Sequence, residues 1–200
     1  MTNWDYFFVY SSVFSPLIPL FFLLRGRYNA PLRIIILFIS LSFLTDLVSV
    51  FLFGNNYTVL HLYGFLEALI LFWFFNTVIK NQKWIPFLAI AFSVFYLINS
   101  IWFEWGVFNT IGRSVECLIM IFLSLRLFYQ FFKLEEDIFI DRSPIFWISI
   151  GVLVYFSGAF FTFTLSKYIL TDAPLWILHN ISNVLKNVFL AIGLWKASKK

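Results

Sequence analysis

The chain has 200 residues, 62% of them hydrophobic and 12% charged, with a formal net charge of +4 and a mean hydropathy of +0.89. Soluble domains carry roughly 25% charged and roughly 45–50% apolar residues, so an ordinary soluble fold is excluded. Seven spans of about 20 residues, each matched to a hydrocarbon core of about 30 Å, would use roughly 140 residues. No room remains for a soluble catalytic or nucleic-acid-binding domain, and the positive charge reads as a topology signal.

Apolar runs at 6–24, 34–53, 60–79, 84–103, 111–132, 145–165 and 174–195 predict seven transmembrane helices in one domain over 1–200. The runs are too long and uniformly apolar for the alternation of a membrane barrel, so the expected class is all-α. The first run follows Met1-Thr2-Asn3-Trp4-Asp5, which lacks a basic leader region and a small-residue cleavage site, and it is expected to be a retained helix. Pro16 and Pro19 in that run, and Gly64 in the third, are candidate kinks. Ser143-Pro144 and Thr171-Asp172-Ala173-Pro174 read as helix starts for the sixth and seventh runs.

Basic residues divide unevenly between alternate connections. Arg25, Arg27, Arg33, Lys80, Lys83, Arg126, Lys133, Arg142, Lys196, Lys199 and Lys200 fall on one side, and only Arg113 and Lys167 on the other. The positive-inside rule then predicts an outer N-terminus and a cytoplasmic C-terminus. Trp4, Trp84, Trp102, Trp105, Trp147, Trp176 and Trp195 lie near span ends, as an interfacial belt requires, and only Trp73 is deep. The abundance of Phe, Ile, Asn and Tyr suits AT-rich coding, so a multi-pass protein of the bacterial plasma membrane is expected. The Glu135-Glu136-Asp137 run reads as a solvated cytoplasmic loop.

The informative residues are those that lipid rejects. An ionisable group at the centre of a span costs about 2.5–3.5 kcal/mol on insertion scales and needs a partner or water. Asp46, His61, Glu67, Arg113, Glu116, His179 and Lys186 all fall in the outer half or near the middle of the bilayer. On the last helix His179, Asn180, Asn183, Lys186 and Asn187 share a stripe about 120° wide. Ser42, Thr45, Asp46 and Ser49 share a face of the second helix, and Asn109, Arg113 and Glu116 stack on the fifth. Gly151, Tyr155, Gly158 and Thr162 give the sixth a small-residue face for close packing. With neutral histidines, Asp46, Glu67 and Glu116 outnumber Arg113 and Lys186 by one charge. A protonated carboxylate, a cationic histidine, or a bound ligand or ion would close that gap.

Known chemistries fit poorly. Lys186 in the last of seven helices resembles the Schiff-base lysine of microbial rhodopsins, but Ser182 stands where that family has an aspartate, and retinal is not expected. Leu60-His61 and Leu178-His179, opening the third and seventh helices, give a repeat that resembles SWEET-type transporters, without their Pro-Gln motif. Two histidines 118 residues apart and no HExxH or GxSxG motif argue against a hydrolase. Cys117 is the single cysteine, so no intrachain disulfide or thiolate cluster exists.

The sequence therefore predicts a non-enzymatic bundle with an outward-facing polar cavity, and no catalytic residue, metal or cofactor. Asp46, His61, Glu67, Arg113, Glu116, His179, Asn183 and Lys186 are the candidate ligand-binding residues. Arg113 and Lys186 would neutralise an anionic group, with Glu67 and Asp46 holding them or carrying a proton. The expected partners are the lipid bilayer, a small polar or anionic ligand for sensing or transport, and a membrane protein partner or second copy, with no nucleic acid. Competing readings are a structural subunit whose polar residues join helices and, further off, an intramembrane metal-dependent hydrolase.

Overall fold

A computed structural model describes residues 3–25, 28–51, 56–134, 140–166 and 173–199. Arg27, Lys167 and Lys200, used in the orientation argument, lie outside the described residues, as do the acidic run at 135–137, Thr171-Asp172 of the seventh helix start, and the side chains of Arg25 and Trp176. The described residues are all-helical: α1 (Asn3–Phe14), α2 (Leu17–Phe21), α3 (Ala30–Phe51), α4 (Tyr57–Val78), α5 (Ile85–Ile98), α6 (Thr110–Leu134), α7 (Pro144–Thr164) and α8 (Ala173–Ser198). Short 3-10 turns follow α2 and precede α7, and a π turn, Asn99–Phe103, extends α5. In lipid every backbone polar group needs an internal partner, which uninterrupted helices supply.

Six helices, those from α3 to α8, are long and apolar enough to cross a membrane. The first apolar run differs from expectation because it is broken into α1 and α2 at Ser15–Pro16. Its apolar part, Tyr6–Phe21, is about 24 Å long at 1.5 Å per residue, short of the roughly 30 Å core. The break follows from proline chemistry. Pro16 and Pro19 lack the N–H groups that would bond the carbonyls of Ser12 and Ser15. Ser12 O instead accepts from the Ser15 hydroxyl at 2.8 Å, and Ser15 O accepts from Ile18 N at 3.1 Å.

Prolines in the first turns of α5 and α7 sit where a missing N–H costs nothing. Ser143 occupies the cap position of α7, but its side chain makes no capping bond. α4 ends at Ile79 in extended conformation, and Asn81 takes φ 58° in the turn to α5, a conformation that asparagine tolerates.

The helices form two groups of three. α4 packs on α3 and α5, while α7 packs on α6 and, most extensively, on α8. α1 and α2 lie on α8, with smaller contacts to α3. The fourth apolar run, α5, thus packs with α4. The small-residue face of α7 works as expected. A Cβ on Gly158 would lie 1.9 Å from Ser182 Oγ, and one on Gly151 3.0 Å from Lys186 O, so only glycine permits this approach of α7 to α8. α4 runs uninterrupted through Gly64. The missing Cβ of Gly64 makes room for Tyr96 and Arg113, whose atoms would lie 2.5–2.9 Å away.

The two ends of the bundle differ. One end carries exposed Lys80, Lys83, Lys133, Arg142 and Lys199. Lys196 there pairs with Asp141 at 3.7 Å, and Gln130 of α6 accepts from Lys80 N at 2.9 Å. The other end holds the polar residues of the next section, ringed by exposed Trp4, Trp102 and Trp105. At most 44% of any spanning window is buried, so apolar side chains cover most of each helix toward lipid. Trp73 is among them, exposed on α4.

Candidate functional site

Two adjoining cavities lie where the two helix groups meet. The inner chamber, about 90 Å³, touches Ser42 and Asp46 of α3, Tyr63 of α4, Arg113 of α6, Tyr155 of α7, and His179 and Asn183 of α8. At ~30 Å³ per molecule it has room for about three waters. A wider vestibule of about 630 Å³ runs past α1 (Tyr6, Tyr10, Ser12) and the start of α4 (Asn56, Tyr57). Asp46, Leu60, Phe108, His179 and Asn183 line both spaces. The vestibule therefore leads into the chamber from the end opposite the lysines and arginines.

Arg113 forms the chamber's charged wall. Its Nη2 lies 2.6 Å from Glu67 Oε2 and its Nη1 2.6 Å from Glu116 Oε2. Both carboxylate side chains are fully buried, and Tyr63 Oη donates to Glu67 Oε1 at 2.9 Å. Phe163 lies beneath the guanidinium, 4.7 Å from Cζ to ring centroid. The local Arg113–Glu116 pair expected from spacing is present, and Glu67 adds a second partner from another helix. Neither glutamate lines a cavity: both stand behind Arg113 as its counterions.

Lys186 is 1% exposed and also lies off both cavities. Its Nζ donates to Ser42 Oγ at 3.4 Å and sits 4.3 Å from the centroid of Tyr155 and 4.9 Å from that of Phe38. Ring faces stabilise a desolvated ammonium. Among the described residues, no carboxylate lies within ion-pair distance of it, and Asp46 and Glu67 act on it through space. Ser42 and Tyr155 thus separate Lys186 from the chamber that they line.

The polar stripe of α8 is shared among three neighbours. His179 packs between Tyr155 and Phe163, at 5.7 Å and 5.3 Å between ring centroids. Asn187 Nδ2 donates to Ser15 Oγ at 2.7 Å, and Asn183 Nδ2 to Ser12 Oγ at 2.9 Å. The assignment of Asn187 follows from chemistry: the single Ser15 hydroxyl proton is already given to Ser12 O, so Asn187 must donate. These bonds dock the broken first helix onto α8.

His61 belongs to a different, closed network. Its Nε2 donates to Val107 O at 2.8 Å, which leaves Nδ1 to accept from Ser100 Oγ and from Asn109 Nδ2 at 3.3 Å. Asn109 Oδ1 in turn accepts from Asn99 Nδ2 at 2.9 Å and Gly112 N at 2.8 Å. Glu104 accepts from Asn99 Nδ2 at 2.6 Å and from Ile111 N at 3.2 Å, placing its charge at the positive end of α6. The network closes the α5–α6 connection, and His61 lines neither cavity.

Of the eight candidates, Asp46, Arg113, His179 and Asn183 are brought together on cavity walls; His61, Glu67, Glu116 and Lys186 are not. The sequence reading missed Glu104 and Ser12. The prolines at 16 and 19 were the available signal for Ser12, since each frees a carbonyl four residues earlier. Among the described residues, no group of three His, Cys, Asp or Glu side chains is placed to hold a metal ion, and Cys117 is buried and free. No protein-family model, curated protein or solved structure matches this chain.

Proposed function

We propose that this is a multi-pass plasma-membrane protein whose chamber takes up a small polar or ionic solute from the extracytoplasmic side, for sensing or transport, without catalysis. The observation that carries the reading is the continuity of vestibule and chamber, with Asp46, His179 and Asn183 on the walls of both. The orientation rests on the lysines and arginines gathered at the opposite end, together with the positive-inside rule. Pockets between the helices of a bundle are a preferred place for solute sites.

The expected anion-neutralising role of Arg113 and Lys186 has less support than a polar or cationic solute. Arg113 already faces two carboxylates, and Lys186 lies outside the chamber. The structural-subunit reading draws on the same closed Arg113–Glu67–Glu116 cluster, but it leaves the open vestibule without a purpose.

Native mass spectrometry of the gently solubilised protein, beside an Asn180→Trp variant that narrows the vestibule, tests the proposal. Excess mass retained by the wild type alone is the expected result. Absence of any retained solute, together with absence of any solute-dependent stabilisation, refutes it. A stable foreign subunit in their place would favour the structural reading.

A further inference from the structure

Near the vestibule the charged and amide donors are satisfied, whereas several buried oxygens are not. Arg113 and the amide nitrogens of Asn183 and Asn187 all have partners. Asp46 Oδ2, Ser49 Oγ and Asn183 Oδ1 are buried without a hydrogen-bond partner among the described residues. All three residues line the vestibule, and Asn183 is only 4% exposed. Asp46 and Ser49 are one turn apart on α3, on one face, and Asn183 meets the Asp46 carboxylate from α8. The break after α1 adds to this environment. The C-terminal end of a helix carries partial negative charge, and Ser12, whose carbonyl accepts from the Ser15 hydroxyl and from Asn183 Nδ2, belongs to that end. The C-terminal ends of discontinuous membrane helices help to hold bound cations.

We infer that a monovalent alkali cation of the sodium class binds in the vestibule where α1, α3 and α8 meet, coordinated by Asp46 Oδ2, Ser49 Oγ and Asn183 Oδ1. Oxygen ligands with a single carboxylate suit a hard monovalent ion, whereas hard divalent ions draw on several carboxylates. The three oxygens are buried on residues that line the vestibule, and so narrow an approach favours a dehydrated ion smaller than a water molecule over an organic ammonium. Charge agrees in sign: the carboxylates of Asp46, Glu67, Glu104 and Glu116 at this end outnumber Arg113 and Lys186, which favours a cation over an anion. The inference rests on the reading of the vestibule as a solute site and names what it takes.

The test is thermal unfolding of the purified protein in detergent, titrated with sodium, potassium or choline chloride at constant ionic strength. Sodium at ten times half-saturation should raise Tm by about 3–6 °C, saturably, while choline leaves it unchanged. Asp46→Asn should abolish the shift and Ser49→Ala should weaken half-saturation about tenfold. Ser40→Ala, on an exposed face of α3, should respond as the wild type does. An equal response to all three salts, or none, overturns the cation site. So does an undiminished sodium shift in both Asp46→Asn and Ser49→Ala. The wild-type titration decides by itself if a variant fails to fold. A retained organic solute without a sodium response sinks the cation site alone and leaves the chamber standing. Loss of both signals removes both readings.

Discussion

Removing the guanidinium of Arg113 should be among the most damaging single changes in the protein. In Arg113→Met, the carboxylates of Glu67 and Glu116 lose a cation 2.6 Å from each and are left as buried like charges. Breaking a buried ion pair from one side costs about 3–5 kcal/mol, which at roughly 2–4 °C per kcal/mol for a chain of this size lowers Tm by about 6–20 °C. The chamber beside Arg113 has room for a few waters, and their access to the orphaned carboxylates places the expectation in the lower half of that range. Glu67→Gln and Glu116→Gln, added together to Arg113→Met, remove the charges that Arg113 neutralised and should recover at least half of the loss. Arg113→Lys should recover less, because an ammonium point charge cannot span two carboxylates as a planar fork does. Thermal melts in one detergent, followed by size-exclusion fluorescence, measure the three variants beside the wild type. A Tm for Arg113→Met within 2 °C of wild type would refute the reasoning, as would failure of the glutamines to rescue.

Two further outcomes are expected. Gly64→Ala places a methyl 2.5 Å from Tyr96 Oη and 2.8 Å from Arg113 Nη1, so it should lower Tm by several degrees, and Tyr96→Phe in the same chain should restore part of the loss; a neutral Gly64→Ala contradicts the close approach. Orientation can be read by cysteine labelling, since the native Cys117 is fully buried. An impermeant maleimide should reach Asn56→Cys on intact cells and Lys83→Cys only after permeabilisation, and the reverse pattern inverts the proposed topology.

Much of the fold was legible because lipid imposes simple rules. Length and hydropathy located six spans within a few residues, and glycine spacing identified the α7 face that meets α8. The first run shows where such reasoning stops. Counting apolar residues says how much chain is greasy but not whether its backbone bonds are continuous, and two prolines three residues apart decide that. The α8 stripe shows the same limit in three dimensions. A face about 120° wide touches α1, α3 and α7 at once, and sequence spacing cannot assign Asn187 to Ser15, Lys186 to Ser42 and His179 to Phe163. Glu104 was invisible for a related reason. Between Phe103 and Trp105 it reads as a loop residue, and only folding brings it back to Ile111 N at the start of α6.

Burial alone does not separate the candidate site from the polar contacts that join helices; unpartnered acceptors on residues lining an open cavity do, since Glu116 Oε1 and Asn187 Oδ1 are unpartnered too but line neither cavity. His61 is as buried as Asn183, at 5% against 4%, yet both its ring nitrogens are engaged and it faces no cavity. Arg113 is equally buried and doubly paired. An orphaned buried acceptor costs about 1–3 kcal/mol, and several of them gathered on one cavity wall would be a standing penalty that nothing in the packing requires. Asp46, Ser49 and Asn183 carry such orphans where a broken helix and an open vestibule coincide. That coincidence, more than the number of polar residues, distinguishes a site from the polar contacts that join helices elsewhere in the bundle.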